Sequence, residues 1–145
     1  MGKIYVVYWS GTGNTEEMAK NVCLGAKEAG AEAELIEVSN ASAEELIKEN
    51  AFALGCPAMG AEVLEEDEME PFVQSLEPLV SGKHIALFGS YGWGDETWMR
   101  DWETRMKNAG AAIIEEQGIT ILGEPDDDIK QKCKEIGKKL VELNK

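Results

Sequence analysis

Short runs of branched and aromatic residues recur along this chain, and each is followed by a stretch with helical periodicity. That alternation constrains the fold most, because strands separated by helix-length segments pair in parallel through crossover connections. The first run, Ile4-Tyr5-Val6-Val7-Tyr8, is apolar enough for a strand covered on both faces. Helical spacing follows over about 15–29, with Met18, Val22, Gly25 and Ala26 on one side and Gly30 placed as a C-cap. A second strand is predicted over 33–38, its polar members suiting an edge. Ser42-Ala43-Glu44-Glu45 matches a capping box and opens a helix ending near Asn50.

A third strand spans 51–56 and is stopped by Pro57; an acidic loop and a helix over 71–80 come next. The fourth strand covers 84–89, and 95–108 is helical with Trp98, Trp102 and Met106 on one stripe. Segments 111–114 and 119–122 make an interrupted fifth strand. A last helix over 126–143 is acidic at its start and lysine-rich toward its end, matching the helix dipole. The expected class is α/β: a three-layer, doubly wound, five-stranded parallel sheet, forming one domain over 1–145.

Ligands of such sheets lie beyond the carboxyl ends of the strands, which directs attention to the loops after strands one, three and four. After strand one stands Ser10-Gly11-Thr12-Gly13-Asn14-Thr15, leading into a helix N-terminus. The glycines let the backbone turn tightly and bring N–H groups to a ligand, the hydroxyls and amide add donors, and the helix start adds positive dipole. A cradle with no Lys or Arg suits a terminal dianionic monophosphate, such as a nucleotide or flavin 5′-phosphate. A polar strand-to-helix turn with an ordinary N-cap is the plainer reading of the same residues. A Walker A loop is excluded because no Gly-Lys-Ser/Thr follows, and GxGxxG fails at Glu16.

The second loop is Pro57-Ala58-Met59-Gly60-Ala61-Glu62 and the third Ser90-Tyr91-Gly92-Trp93-Gly94-Asp95. Trp93, between glycines, is poorly placed for a core and well placed to offer a ring face. Met59 is a soft apolar residue fit for the opposite face of a planar ligand.

SGTGNT, GCPAMG and SYGWGD, in this order and spacing, resemble a flavodoxin of the short-chain kind found in anaerobic bacteria. The strand order 2-1-3-4-5 with FMN at the β1/β3 switch point is that family's known arrangement, so it comes from the resemblance alone. The resemblance implies that Ser10 to Thr15 hold the FMN phosphate, that Trp93 stacks on the outer isoalloxazine face, and that Met59 lines the inner one. It further implies that amides near Gly92 face the pyrimidine oxygens, that Glu62 accepts from flavin N3–H, and that the Gly60 carbonyl swings toward N5 on reduction. It implies too that residues near Leu122 and Gly123 edge the ribityl pocket. Two departures stand out: Ala61 occupies a position that is Asp or Asn in many relatives, and Pro57 replaces a hydroxyl that some offer to the phosphate.

The implied role is a low-potential one-electron carrier with non-covalent FMN, cycling semiquinone and hydroquinone between redox enzymes such as ferredoxin-type reductases and acceptors. It is not an enzyme in this reading. A small FMN-dependent NAD(P)H or quinone reductase on the same fold is the alternative. A receiver-type signalling domain shares the strand order but wants acidic residues where this chain has Trp9-Ser10 and Pro57-Ala58.

Charge bears on that role. Across 145 residues, 28 acidic and 14 basic side chains give a formal net charge of −14. Nucleic acid is thereby excluded as a general partner, and anionic membrane surfaces are disfavoured. Glu62, Glu65, Glu66, Asp67, Glu68 and Glu70 follow directly on the second loop. A few charges at ~10 Å, each worth about 0.4–1.7 kcal/mol, would lower the second flavin potential by on the order of 100 mV and steer basic partners. Cys23, Cys56 and Cys133 form no CxxC pair and no metal spacing, and no apolar run approaches a membrane span. The expectation is a cytoplasmic monomer with no metal.

Overall fold

The strands β1 (Lys3–Tyr8), β2 (Glu32–Glu37), β3 (Ala51–Gly55), β4 (His84–Tyr91), β5 (Ala112–Ile113) and β6 (Ile119–Leu122) form one sheet in the computed structural model, which describes residues 3–60 and 63–144. All pairings are parallel and the order is β2-β1-β3-β4-β5, with β6 also pairing β4. The expected order is therefore observed, and the fifth position is filled by two segments. Between β5 and β6 lies a short 3-10 turn, Ile114–Glu116, in which Glu115 and Glu116 take left-handed backbone at φ 63° and 64°.

Helices α1 (Asn14–Glu28) and α5 (Asp127–Leu143) cover one face; α2 (Ala43–Leu46), α3 (Met69–Leu76) and α4 (Thr97–Asn108) cover the other. Strand alternation sorts the core between them. Ile4, Val6 and Tyr8 of β1 join Ala51 and Ala53 of β3 and Phe88 of β4 on the α1/α5 side. Val7, Phe52, Leu54, Ile85 and Leu87 join Trp98 and Trp102 on the α3/α4 side. Each central strand is thus buried on both faces, which explains its unbroken apolar run.

Several element boundaries differ from expectation, two of them because of contacts with distant segments. The helix after Ser42 ends at Leu46, because Asn144 Oδ1 accepts the amides of Asn50 and Ala51 at 2.7 and 2.9 Å and holds them out of a helix. Only half of the capping box forms: Ser42 Oγ accepts from Glu45 N–H, while the Glu45 carboxylate turns to Lys48. Helix α3 begins at Met69 rather than 71, and β4 runs on to Tyr91 because its last residues pair with β6.

Helices α1 and α5 meet backbone to backbone. A Cβ on Gly25 would lie 2.0 Å from the Lys134 carbonyl oxygen, and one on Gly137 would lie 2.1 Å from that of Val22. Glycine is required at both positions by this approach, which also fixes the axis of α1 and so the loop at its start. Gly137→Ala is expected to cost about 3 kcal/mol in urea unfolding, since neither backbone can yield without moving a helix. An unchanged unfolding midpoint would show that the helices are not in contact.

Candidate functional site

Parallel register brings the ends of three strands together: Tyr8 pairs with Gly55, and Gly55 with Phe88. The ladder continues into the loops, with Trp9 N–H to Gly55 O, Cys56 N–H to Phe88 O and Ala58 N–H to Ser90 O, at 3.0–3.1 Å. The three loops singled out in the sequence therefore leave from one rim.

In the first loop, Ser10 Oγ accepts N–H groups from Gly13 (3.1 Å) and Glu16 (3.3 Å), closing the turn on itself. Gly13 caps α1 with φ +99°, a left-handed backbone open to glycine and strained for other residues. The first-turn amides of α1 have no intrahelical partner. Thr15 is buried, and its Oγ1 accepts the Ser90 N–H at 3.3 Å, tying the loop to β4.

In the third loop, Ser90 Oγ donates to Gly123 O at 2.6 Å, and Gly123 N–H donates to Tyr91 O at 2.8 Å. The Tyr91 ring lies 5.5 Å from Trp98, whose Nε1–H reaches Cys56 O at 3.1 Å. Trp93 is 64% exposed, so it presents its ring rather than filling the core.

A cleft of about 250 Å³ opens between the loops. Gly11, Thr12 and Asn14 line it from the first loop, Pro57, Ala58 and Met59 from the second, and Ser90, Tyr91 and Gly92 from the third. Ser10, Gly13, Thr15, Gly60 and Trp93 do not line it; Ser10, Gly13 and Thr15 shape the loop behind it. Ala61 and Glu62 lie outside the described residues. Trp9 and Gly123 line the cleft as well. Trp9 was not singled out and could have been found from its place between a buried strand and the glycine loop, whereas Gly123, expected near the pocket from the resemblance, is brought there by the β4–β6 pairing.

A larger cavity of about 540 Å³ lies between α4, α5 and the start of β6, lined by residues such as Arg100, Glu115, Lys132 and Lys139. None of the described residues of the three loops contributes to it, so the rule for doubly wound sheets favours the smaller cleft. Cys56 is fully buried, and burial pushes its thiol up to about 12, which leaves it inert as a nucleophile.

The acidic run is not one solvated patch. Glu66, Asp67 and Glu68 are exposed, but Glu65 is buried and accepts the N–H groups of Asp67, Glu68 and Met69. Burial pushes the Glu65 carboxyl up, and these three hydrogen bonds outweigh it and hold it below the ordinary range. Glu70 and Glu77 both pair with Arg105 of α4, and Arg105 holds the Glu70 carboxyl low. Only the exposed members remain to act on a ligand or partner by charge, which narrows the expectation drawn from the sequence.

A glycine-bearing, cation-free loop at a helix start, facing a cleft walled by Met59 and Tyr91, places this protein among doubly wound α/β proteins with a ligand site at the switch point. The family model for flavodoxin matches residues 6–139. The chain is 49% identical over 138 residues to a flavodoxin of Clostridium beijerinckii, covering 95% of this chain and 99% of that one. It is 42% identical over 134 residues to a flavodoxin of Megasphaera elsdenii, covering 92% and 95%. The structure of two-electron reduced Megasphaera elsdenii flavodoxin superposes with a TM-score of 0.86 at 41% identity, covering 96% of this chain and 98% of that one. The chain belongs to the flavodoxin family, whose members bind FMN and carry electrons.

A carboxyl held low stabilises the fold above the ordinary carboxylate range and stops doing so as pH falls through its own value. Glu70→Gln is therefore expected to be less stable than the parent at pH 7, with the gap closing as pH falls below the ordinary carboxylate range and the parent's Glu70 protonates. A gap that stays constant from pH 7 to 3 in urea unfolding would contradict the Arg105 pairing.

Proposed function

We propose that this chain holds FMN non-covalently in the cleft between the three loops and passes single electrons between redox enzymes, working as a cytoplasmic monomer. The observation that carries this reading is the neutral loop at the start of α1: Gly13 in left-handed backbone, Ser10 bracing the turn, and Thr12 and Asn14 on the cleft. In this assignment Ser10 to Thr15 bind the phosphate, mostly through amides oriented by the helix start. Met59 covers one face of the ring system, and the exposed indole of Trp93 covers the other. The Gly92 amide and Glu62 serve the pyrimidine edge, and Gly60 lies beside the reactive nitrogen. When bound, FMN supplies one-electron chemistry; the protein supplies binding, water exclusion and the local field.

The surface around the cleft supports partner docking. Val63, Trp93 and Leu122 are large apolar residues left exposed on segments that end at this rim. Exposed Glu66, Asp67 and Glu68 stand nearby in sequence, complementary to basic partners such as ferredoxin-type reductases. The same charges disfavour adding a further electron, which supports use of the lower of the two one-electron couples.

The test is reconstitution of the ligand-free protein with FMN followed by reductive titration. One FMN per chain and two resolved one-electron steps are expected, with electrons passed on to an added one-electron acceptor. Trp93→Ala is expected to weaken FMN binding about tenfold through loss of stacking. Sustained oxidation of NADH or NADPH with quinone by the pure protein would instead support the reductase alternative.

A further inference from the structure

The loop after β3 is clamped at both ends by residues that do not line the cleft. At its start, Cys56 uses every polar group it has: its N–H donates to Phe88 O, its carbonyl accepts from Trp98 Nε1, and its Sγ donates to Pro57 O and accepts from Glu65 N–H, both at 3.4 Å. At its end, Glu65 is 6% exposed, and its carbonyl accepts from Glu70 N–H at 2.8 Å. Its Oε2 accepts from Asp67 N–H at 2.7 Å, and Oε1 accepts from both Glu68 (2.8 Å) and Met69 (3.0 Å). Between the two ends, Met59 N–H donates to Val63 O at 3.0 Å, and Met59 lines the cleft.

We propose that Glu65 is a positioning residue for flavin binding: its buried, ionised carboxylate caps α3 and, with Cys56, fixes the loop so that Met59 is already in place before the ligand arrives. The proposal rests on the FMN assignment above, and separates Glu65 from the exposed acids that follow it. Those act through charge, whereas Glu65 acts through geometry. A carboxylate is needed because N–H donors converge on both oxygens. A Gln amide would set its NH2 against at least one of them, donor facing donor, and Asp would fall one methylene short. A loop held in its bound conformation loses less entropy on binding, so the clamp contributes to affinity without touching the ligand.

The experiment compares Glu65→Gln and Glu65→Asp with the exposed control Glu66→Gln and with Cys56→Ala, which removes the acceptor on the other side of the clamp without altering charge. Two quantities are read: amide hydrogen exchange at Met59 in the ligand-free protein, and the dissociation constant for FMN. Both Glu65 variants and Cys56→Ala are expected to exchange Met59 N–H about tenfold faster and to bind FMN about tenfold more weakly, while Glu66→Gln leaves Met59 exchange at the parent's rate and, with one negative charge fewer, does not weaken FMN binding. Glu65→Asp keeps the charge, so its loss of affinity marks position rather than field. Parent-like exchange and affinity in Glu65→Asp would overturn the proposal, whatever Glu65→Gln does. Should Glu65→Gln fail to fold, Glu65→Asp and Cys56→Ala decide it. Failure of the parent itself to bind FMN would sink the functional assignment, and the exchange measurement would still judge the clamp.

Discussion

A protein with a formal charge of −14 can hold a doubly negative ester only where hydrogen-bond donors are already aimed at it. In the proposed assignment, the loop from Ser10 to Thr15 does this without a cation. Its positive potential comes from amides at the start of α1, and amides deliver it only if the backbone is held in place. The rest of the molecule is organised to hold it. The left-handed Gly13 turns the chain into the helix, Ser10 braces the turn, and the buried Thr15 hydroxyl accepts from the amide of Ser90 near the end of β4.

That bracing extends outward through the fold. The close approach of Gly25 and Gly137 sets α1 against α5, and the β1–β3–β4 register sets three loops on one rim. Trp98 joins the second and third loops through Cys56 O and Tyr91. Glu65 and Arg105 remove some of the acidic run from the surface, one into a helix cap and the other by pairing with Glu70 and Glu77. A sequence stretch that reads as uniform negative charge is therefore divided in space into structural and solvent-facing halves.

Much of this was legible in the residues. The apolar runs gave the strands, the small and hydroxylated residues after β1 gave the tight turn into α1, and the glycines around Trp93 foretold an exposed ring. What stayed hidden depends on contacts far apart in the chain. The end of α2 is set by Asn144, near the other terminus, and the extra residues of β4 by pairing with β6. Trp98 has helical spacing with Trp102 and reads as core, which it is, yet its indole N–H also anchors the second loop. Glu65 looks like its exposed neighbours because composition does not reveal which carboxylate turns inward. The order of the strands came from family resemblance, since periodicity does not encode it.

The most direct test of the central claim is the affinity of the ligand-free protein for FMN beside that for riboflavin, which has the same ring and ribityl chain but no phosphate. If a cation-free cradle of amides and hydroxyls anchors the ester, FMN binds at least about a hundredfold more tightly, the strength of a few charge-assisted hydrogen bonds. Equal affinity for the two would mean that the loop at the start of α1 does not bind the phosphate, and the account built on it would be wrong.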